Sequence, residues 1–95
     1  MKLRFTEKFD EDLSLIEESQ KGNSTKIITD ILNSLKLLKT FPYMGPELER
    51  ITGRVSEYRY LVCANYVVLY RIEVEMISII RLFDARSDYI DSLLY

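Results

Sequence analysis

The chain has 95 residues, 47% of them hydrophobic and 29% charged, with a formal net charge of −2; this length supports one modest core, so we expect a single domain that spans residues 1–95. Because the sequence has no histidine and one cysteine, Cys63, it excludes an intrachain disulfide, a clustered metal site and every nucleophilic triad that depends on histidine. The negative net charge argues against general nucleic-acid binding, so any contact with a nucleic acid has to be local.

The N-terminal segment predicts a short strand followed by a helix. From Lys2 to Thr6, apolar and basic residues alternate, which is the period-two pattern of a half-buried strand. Thr6 is placed to cap the helix that follows, because its hydroxyl can accept a hydrogen bond from the first turn. We predict this helix from Glu7 to about Ser19, with acidic residues in its first turn and Gly22 after its end.

A second helix is predicted by an apolar stripe that begins after Ser24 and continues to Thr40. The Phe41-Pro42 pair ends this helix, since proline cannot continue it. The few polar residues of 20–23 connect the two helices into an antiparallel hairpin. The joint apolar face of such a hairpin needs a sheet to cover it.

The second half of the chain supplies that sheet. An irregular loop over 42–54 is followed by three segments rich in β-branched and aromatic residues, and two tight turns separate them, as in an antiparallel meander. The predicted strands are Val55–Val62, Tyr66–Ile72 and Met76–Phe83, and a short helix over Ser87–Leu94 closes the chain. The predicted fold class is therefore α+β, in the order β-α-α-β-β-β-α, with an N-terminal αα-hairpin packed on an antiparallel sheet.

The register of the meander follows if both turns contain two residues, because directly opposed residues then share a face of the sheet. Under that condition Arg59 lies opposite Tyr70 and Ile79, and Leu61 lies opposite Val68 and Arg81. We therefore predict that Arg59, Tyr70 and Arg81 form a cluster on one face.

The sequence has no motif for a cofactor or a membrane anchor. Its three glycines do not form a phosphate loop or a dinucleotide fingerprint. The N-terminal residues contain no continuous hydrophobic stretch, and the apolar runs are too short to span a bilayer. We expect a cytoplasmic protein with no metal, no small-molecule cofactor and no membrane partner.

The basic residues are divided unevenly along the chain. All six lysines lie at or before Lys39, whereas six of the seven arginines lie at or after Arg50. Arginine binds phosphates and carboxylates through two parallel hydrogen bonds, so an anionic partner is expected on the second half. The alternative is that these arginines pair with an equal number of acidic residues in the same half, namely Glu57, Glu73, Glu75, Asp84, Asp88 and Asp91.

A family resemblance is visible in four segments of the chain, taken in order: Phe41 to Gly45, Tyr58-Arg59, Tyr66 to Ile72 and Ile77 to Tyr89. This succession closely resembles the RelE/ParE superfamily of toxins from type II toxin–antitoxin systems. The likeness covers nearly the whole chain, and it depends on the joint order and spacing rather than on one motif. It implies the order of elements predicted above, and a toxin that a cognate antitoxin protein holds inactive.

Two activities occur in this superfamily. ParE-like members poison DNA gyrase, and RelE-like members cleave mRNA on the ribosome. Arg59 fits one basic position of the nucleases, but Leu61, Val67 and Asp84 stand where those nucleases have basic residues. The resemblance therefore implies a ParE-like gyrase poison, with two alternatives: a ribosome-dependent mRNA endonuclease, or a non-toxic interaction module of the same fold.

If the chain is an enzyme, the resemblance implies a metal-independent endoribonuclease. Such cleavage needs a base for the ribose 2′-hydroxyl, a cation for the phosphorane charge and an acid for the leaving oxygen. The candidate catalytic residues are Arg59, Arg81 and Arg86 for the charge, and Tyr89, Glu47 and Glu49 for proton transfer. The structural alternative for Arg59 and Arg81 is an ion pair with an acidic residue. An acidic antitoxin segment is also an expected partner of the three arginines.

Overall fold

The structure is a computed structural model that describes residues 1–20 and 22–85. A strand and a helical hairpin come first, followed by a short helix and three further strands. In chain order the elements are β1 (Lys2–Phe5), α1 (Glu7–Ser19), α2 (Ser24–Leu38), α3 (Glu49–Thr52), β2 (Tyr58–Cys63), β3 (Tyr66–Glu73) and β4 (Met76–Asp84). The α+β class and the predicted succession of strand, helical hairpin and meander are confirmed.

The main differences from the prediction are an additional helix and a later start of β2. The loop after α2 contains the one-turn helix α3, which was predicted as irregular chain. Strand β2 begins at Tyr58 rather than at Val55, because Gly53 adopts a left-handed conformation and Val55 is exposed to solvent. The C-terminal helix predicted over Ser87–Leu94 lies outside the described residues.

The four strands form one sheet in the order β1-β4-β3-β2. The meander of β2, β3 and β4 is antiparallel, as predicted, and β1 joins it in parallel along the edge of β4. β1 pairs only with the first part of β4, as far as Ile79. The remaining residues of β4 therefore lie at an edge of the sheet that β1 does not cover.

The helical hairpin covers one face of the sheet. The core on this face contains Phe9 and Ile16 from α1, Ile31, Leu35 and Leu38 from α2, and Val68, Tyr70, Ile77, Ile79 and Leu82 from the sheet. A second and smaller cluster, built around Val67, Leu69 and Phe83, lies on the opposite face. The apolar stripe of α2 is therefore directed at the sheet, as its helical spacing predicted.

Thr6 connects the start of α1 to the sheet. Its hydroxyl accepts a hydrogen bond from the backbone N–H of Phe9 at 3.2 Å, which confirms the predicted cap. The same hydroxyl donates to the carbonyl of Ile80 at 2.7 Å. One side chain therefore caps the helix and also binds β4 just beyond the end of its pairing with β1.

The predicted cluster of Arg59, Tyr70 and Arg81 is wrong because β4 contains a bulge. Arg59 lies opposite Tyr70 and Tyr70 opposite Ile79, as predicted. The register between β3 and β4 shifts at the next residue, however, because Tyr70 pairs with Ile79 whereas Leu69 pairs with Arg81. An extra residue in one strand displaces every later side chain relative to the partner strand.

The turn between β2 and β3 contains two residues other than glycine in the left-handed region: Ala64 at φ 51° and Asn65 at φ 66°. Asparagine tolerates this conformation better than alanine does. We expect Ala64→Asn to raise the free energy of unfolding by about 0.5 kcal/mol, measured by urea denaturation. The reverse change, Asn65→Ala, should lower it; equal stability of both variants would mean that the turn imposes no strain.

Candidate functional site

Arg59 is bound to the loop that follows α2. Its Nη1 donates to the carbonyl of Gly45 at 2.8 Å, and its Nη2 donates to Oε1 of Glu47 at 3.2 Å. The ring of Tyr43 covers the guanidinium, with 5.0 Å between Cζ and the ring centroid. Only 19% of the Arg59 side chain is exposed. The guanidinium is thus engaged by a carbonyl, a carboxylate and an aromatic face.

Tyr70 binds the same loop from the core. Its fully buried hydroxyl donates to the carbonyl of Pro42 at 2.9 Å and accepts from the backbone N–H of Gly45 at 3.0 Å. Burial raises the pKa of the Tyr70 hydroxyl, while the N–H of Gly45 and the charge of Arg59 act in the opposite direction. The phenol is neutral at physiological pH and can both donate and accept.

Gly45 is required because the chain passes very close to its neighbours. A Cβ atom at this position would lie 2.3 Å from the carbonyl oxygen of Tyr60 and 2.6 Å from the hydroxyl of Tyr70. Neither neighbour is the free end of a flexible side chain, so neither can move away at low cost. Gly45, Arg59 and Tyr70 together fix the loop, and we call them the loop clamp.

The clamped loop continues along the outer edge of β2. The N–H of Tyr60 donates to the carbonyl of Pro46 at 3.1 Å, and the N–H of Leu48 donates to the carbonyl of Tyr58 at 2.9 Å. Glu47 forms an antiparallel bridge with Arg59. These bonds satisfy the edge of β2 over its first half and hold the Glu47 carboxylate beside Arg59.

Arg81 lies at a different place, where α1 meets β4. Its Nε and Nη2 donate to the two carboxylate oxygens of Asp12 at 2.9 and 3.2 Å. Asp12 Oδ2 also accepts from the backbone N–H of Leu82 at 2.9 Å. Because β1 ends before this point, the Asp12 carboxylate replaces the missing strand partner of Leu82. The Asp12 side chain is only 11% exposed.

A third polar network lies on the sheet around Glu73. The Glu73 carboxylate accepts from Arg71 and, at 2.8 Å, from the hydroxyl of Ser78. Ser78 in turn accepts from Nε of Arg4 at 3.1 Å, and Arg71 also pairs with Glu57 at 3.6 Å. The hydrogen bond from Arg71, followed by that from Ser78, lowers the pKa of Glu73. Of the six acidic partners in the alternative interpretation, Glu57 and Glu73 pair with an arginine of the second half, and in both cases it is Arg71.

The lowered pKa of Glu73 makes stability depend on pH. A carboxyl group with a lower pKa in the folded chain stabilises the fold above its ordinary pKa, about 4.3, and this contribution is lost as the pH falls below that value. We expect the urea midpoint to fall more steeply between pH 6 and pH 3 for the native chain than for Glu73→Gln. Glu18→Gln, on the exposed side of α1, is the control; identical pH profiles for the native chain and Glu73→Gln would contradict the expectation.

Four of the six candidate catalytic residues lie in the described part of the chain, and of these four the structure brings Arg59 and Glu47 together. Arg81 is held separately by Asp12, and Glu49 is the first residue of α3. Arg86 and Tyr89 lie outside the described residues. Sequence reasoning missed Asp12, which is 69 residues from Arg81 and carries no local signal.

Four exposed apolar side chains lie at the end of α2 and in the loop that follows it: Leu37, Phe41, Tyr43 and Met44. We call this surface the aromatic patch. Each side chain is between 42% and 67% exposed. The backbone N–H of Phe41 donates to the carbonyl of Leu37, and that of Met44 donates to the carbonyl of Phe41, so backbone hydrogen bonds link the residues of the patch.

Residues 1–20 and 22–85 contain neither a metal-binding cluster nor a helix that could span a membrane. No group of three acidic or cysteine side chains in this part of the chain is arranged to hold a metal ion. No helix there has the length and apolar character needed to cross a membrane.

The strand, helical hairpin and meander of this chain agree with the order of elements that the resemblance to the RelE/ParE superfamily implied. The chain belongs to the ParE toxin family: the family described as the ParE toxin of the type II toxin–antitoxin system parDE matches residues 3–89. The resemblance found in the sequence, including the preference for the ParE branch, is confirmed.

A solved structure described as the chromosomal ParDE TA system from P. aeruginosa is similar to this chain, with a TM-score of 0.73 and 22% sequence identity. The match covers 90% of this chain and 97% of that chain. At this identity the likeness concerns the fold. A comparison with curated proteins finds no match.

Proposed function

We propose that this chain is a growth-inhibiting toxin that poisons DNA gyrase in the cytoplasm and is neutralised by a cognate antitoxin. Membership of the ParE toxin family supports the toxin role. The observation that favours gyrase over the ribosome is that two candidate catalytic arginines are already ion-paired. Arg59 and Arg81, which ribosome-dependent cleavage of mRNA would need for charge stabilisation, each have a carboxylate partner within the chain.

The contacts of Arg59 weigh against phosphate binding. A guanidinium that stabilises a phosphorane has to direct its N–H donors at the reacting oxygens. Both terminal nitrogens of Arg59 donate instead to Gly45 and Glu47, and Tyr43 covers one face. Releasing them for a substrate would leave the Gly45 carbonyl without this donor and would loosen the loop clamp.

Proton transfer meets a similar obstacle. Glu47 forms an antiparallel bridge with Arg59, and its carboxylate is already bound to that arginine. To take a proton from a ribose hydroxyl, Oε1 of Glu47 would have to give up its hydrogen bond to Nη2 of Arg59. A gyrase poison needs no catalytic set of its own, so it is the function more compatible with these contacts.

The antitoxin part of the proposal rests on the family and on the similar structure, which is described as a ParDE system. Growth inhibition by a toxin of this kind requires a protein that neutralises it in the producing cell. We propose that this protein binds the chain directly.

Pulse-labelling of DNA, RNA and protein synthesis within minutes of induction tests the function. We expect DNA synthesis to stop first, and co-induction of the neighbouring open reading frame to prevent the arrest. Early arrest of protein synthesis would replace gyrase with the ribosome as the target. An absence of any arrest would remove toxicity from the proposal.

A further inference from the structure

The two aromatic side chains of the aromatic patch are mostly exposed to solvent. Phe41 is 60% exposed and Tyr43 is 67% exposed, although both belong to a segment that the core holds in place. Scattered exposed apolar residues need no explanation, but adjacent ones on a fixed segment are typical of a protein-binding surface.

The loop clamp makes this surface rigid. Tyr70 holds Pro42 and Gly45 from below, and Arg59 holds Gly45 and lies under the ring of Tyr43. A partner that binds an ordered loop does not have to supply the free energy of ordering it. The exposed side chains are therefore presented in one arrangement before any partner arrives.

The chain segment that carries the patch has basic residues and no acidic one. The sequence has 15 acidic residues among 95, yet none falls between Ile31 and Pro46, a segment that contains Lys36 and Lys39. The N-terminal ammonium group of Met1 lies here too, since it donates to the carbonyl of Lys39 at 3.1 Å. Within residues 1–20 and 22–85, no ion pair joins either lysine to a carboxylate.

We propose that the aromatic patch is the docking surface for an acidic segment of the cognate antitoxin. Apolar side chains of that segment pack on Phe41 and Met44, and its carboxylates face Lys36 and Lys39. Arg59 and Arg81, to which the sequence first assigned an acidic antitoxin segment, already have carboxylates of their own. This inference rests on the proposed toxin function, because it takes the antitoxin as the partner.

Binding measurements on charge variants test the docking surface. The probe is the full-length product of the open reading frame beside the toxin gene, titrated calorimetrically against the native chain, Phe41→Glu and Lys36→Glu/Lys39→Glu. We expect each variant to bind at least about tenfold more weakly, and the double lysine variant to show a smaller dependence on salt. Val74→Glu, which places the same charge on a residue 92% exposed at the turn between β3 and β4, should bind like the native chain.

Unchanged affinity in both patch variants would overturn the inference, and so would equal weakening by Val74→Glu. Thermal unfolding of each variant shows whether the fold is kept, and the lysine variant changes only exposed charges. The two proposals are separated in cells. A patch variant that still arrests growth but is no longer neutralised supports the docking surface, whereas one that is neutralised normally and has lost toxicity would assign the patch to the target.

A native chain that arrests nothing would end the toxin proposal. The calorimetric comparison between patch and control variants would still decide whether the patch binds the neighbouring protein.

Discussion

Replacing Gly45 with alanine is expected to lower the free energy of unfolding by about 3 kcal/mol, because the added methyl group enters occupied space and displaces the Tyr70 hydroxyl from its backbone partners. A Cβ at this position would lie 2.3 Å from the Tyr60 carbonyl oxygen, which belongs to β2 and cannot retreat without breaking the sheet. Urea denaturation of Gly45→Ala measures the loss. Weaker protection of the backbone amides of Gly45 and Tyr60 against hydrogen exchange should accompany it.

Gly53→Ala is the matched control for this prediction. Gly53 has φ +70° and no atom within 4 Å of an added Cβ, so its replacement costs only the left-handed conformation, about 1 kcal/mol. A smaller loss at Gly45 than at Gly53 would contradict the close approach that defines the loop clamp. If Gly45→Ala lowered the free energy of unfolding without changing the hydrogen exchange of the residue 45 amide, the added methyl group would be disturbing something other than the loop clamp.

Replacing Asp12 with alanine is the second large effect, with an expected loss of about 3 kcal/mol. The change leaves the Leu82 N–H and the Arg81 guanidinium without their shared acceptor at the uncovered edge of β4. Asp12→Asn keeps an oxygen acceptor for Leu82 but removes the charge opposite Arg81, so it should lose less than Asp12→Ala. Thermal and urea unfolding of the two variants rank these contributions.

Asp10→Ala provides the control for Asp12, since Asp10 is an exposed carboxylate on the same helix. We expect it to cost no more than about 0.5 kcal/mol, the usual size of a charge effect in a first helical turn. If Asp10→Ala and Asp12→Ala were equally destabilising, the Asp12 carboxylate would have no special role at β4.

The elements that the sequence predicted are those with strong local signals. The apolar stripe of α2, the Thr6 cap and the alternating strands depend on residues close in sequence, and the structure contains all three. Counting residues across the turn at Ala64-Asn65 also placed Arg59 opposite Tyr70 correctly. Two-residue turns fix register wherever both strands remain regular.

The features that could not be predicted depend on contacts between distant segments. The bulge in β4, opposite Leu69 and Tyr70 of β3, lies where the pairing with β1 ends. Thr6 and Asp12 bind β4 at the same place. The parallel pairing of β1 joins residues more than 70 positions apart. No local pattern in β4 announces either feature, and the bulge alone was enough to separate Arg81 from Arg59.

The candidate site shows the same division. Arg59 was recognised as an unusual residue, but its role depends on how the loop at 42–48 folds along β2. That path brings Glu47 to Arg59 and Gly45 to Tyr70, turning a predicted charge-stabilising group into part of a structural clamp. The aromatic patch depends on the clamp, because the clamp fixes the loop that carries the exposed side chains of Phe41 and Tyr43.

Incubation of the purified chain with DNA gyrase, ATP and plasmid DNA tests the central claim most directly. A gyrase poison predicts that supercoiling stops and that cleaved plasmid accumulates after protein removal, while mRNA on programmed ribosomes stays intact. Normal supercoiling with no cleaved plasmid, together with cut mRNA, would contradict the account and would require Arg59 to leave the loop clamp and act on the nucleic acid.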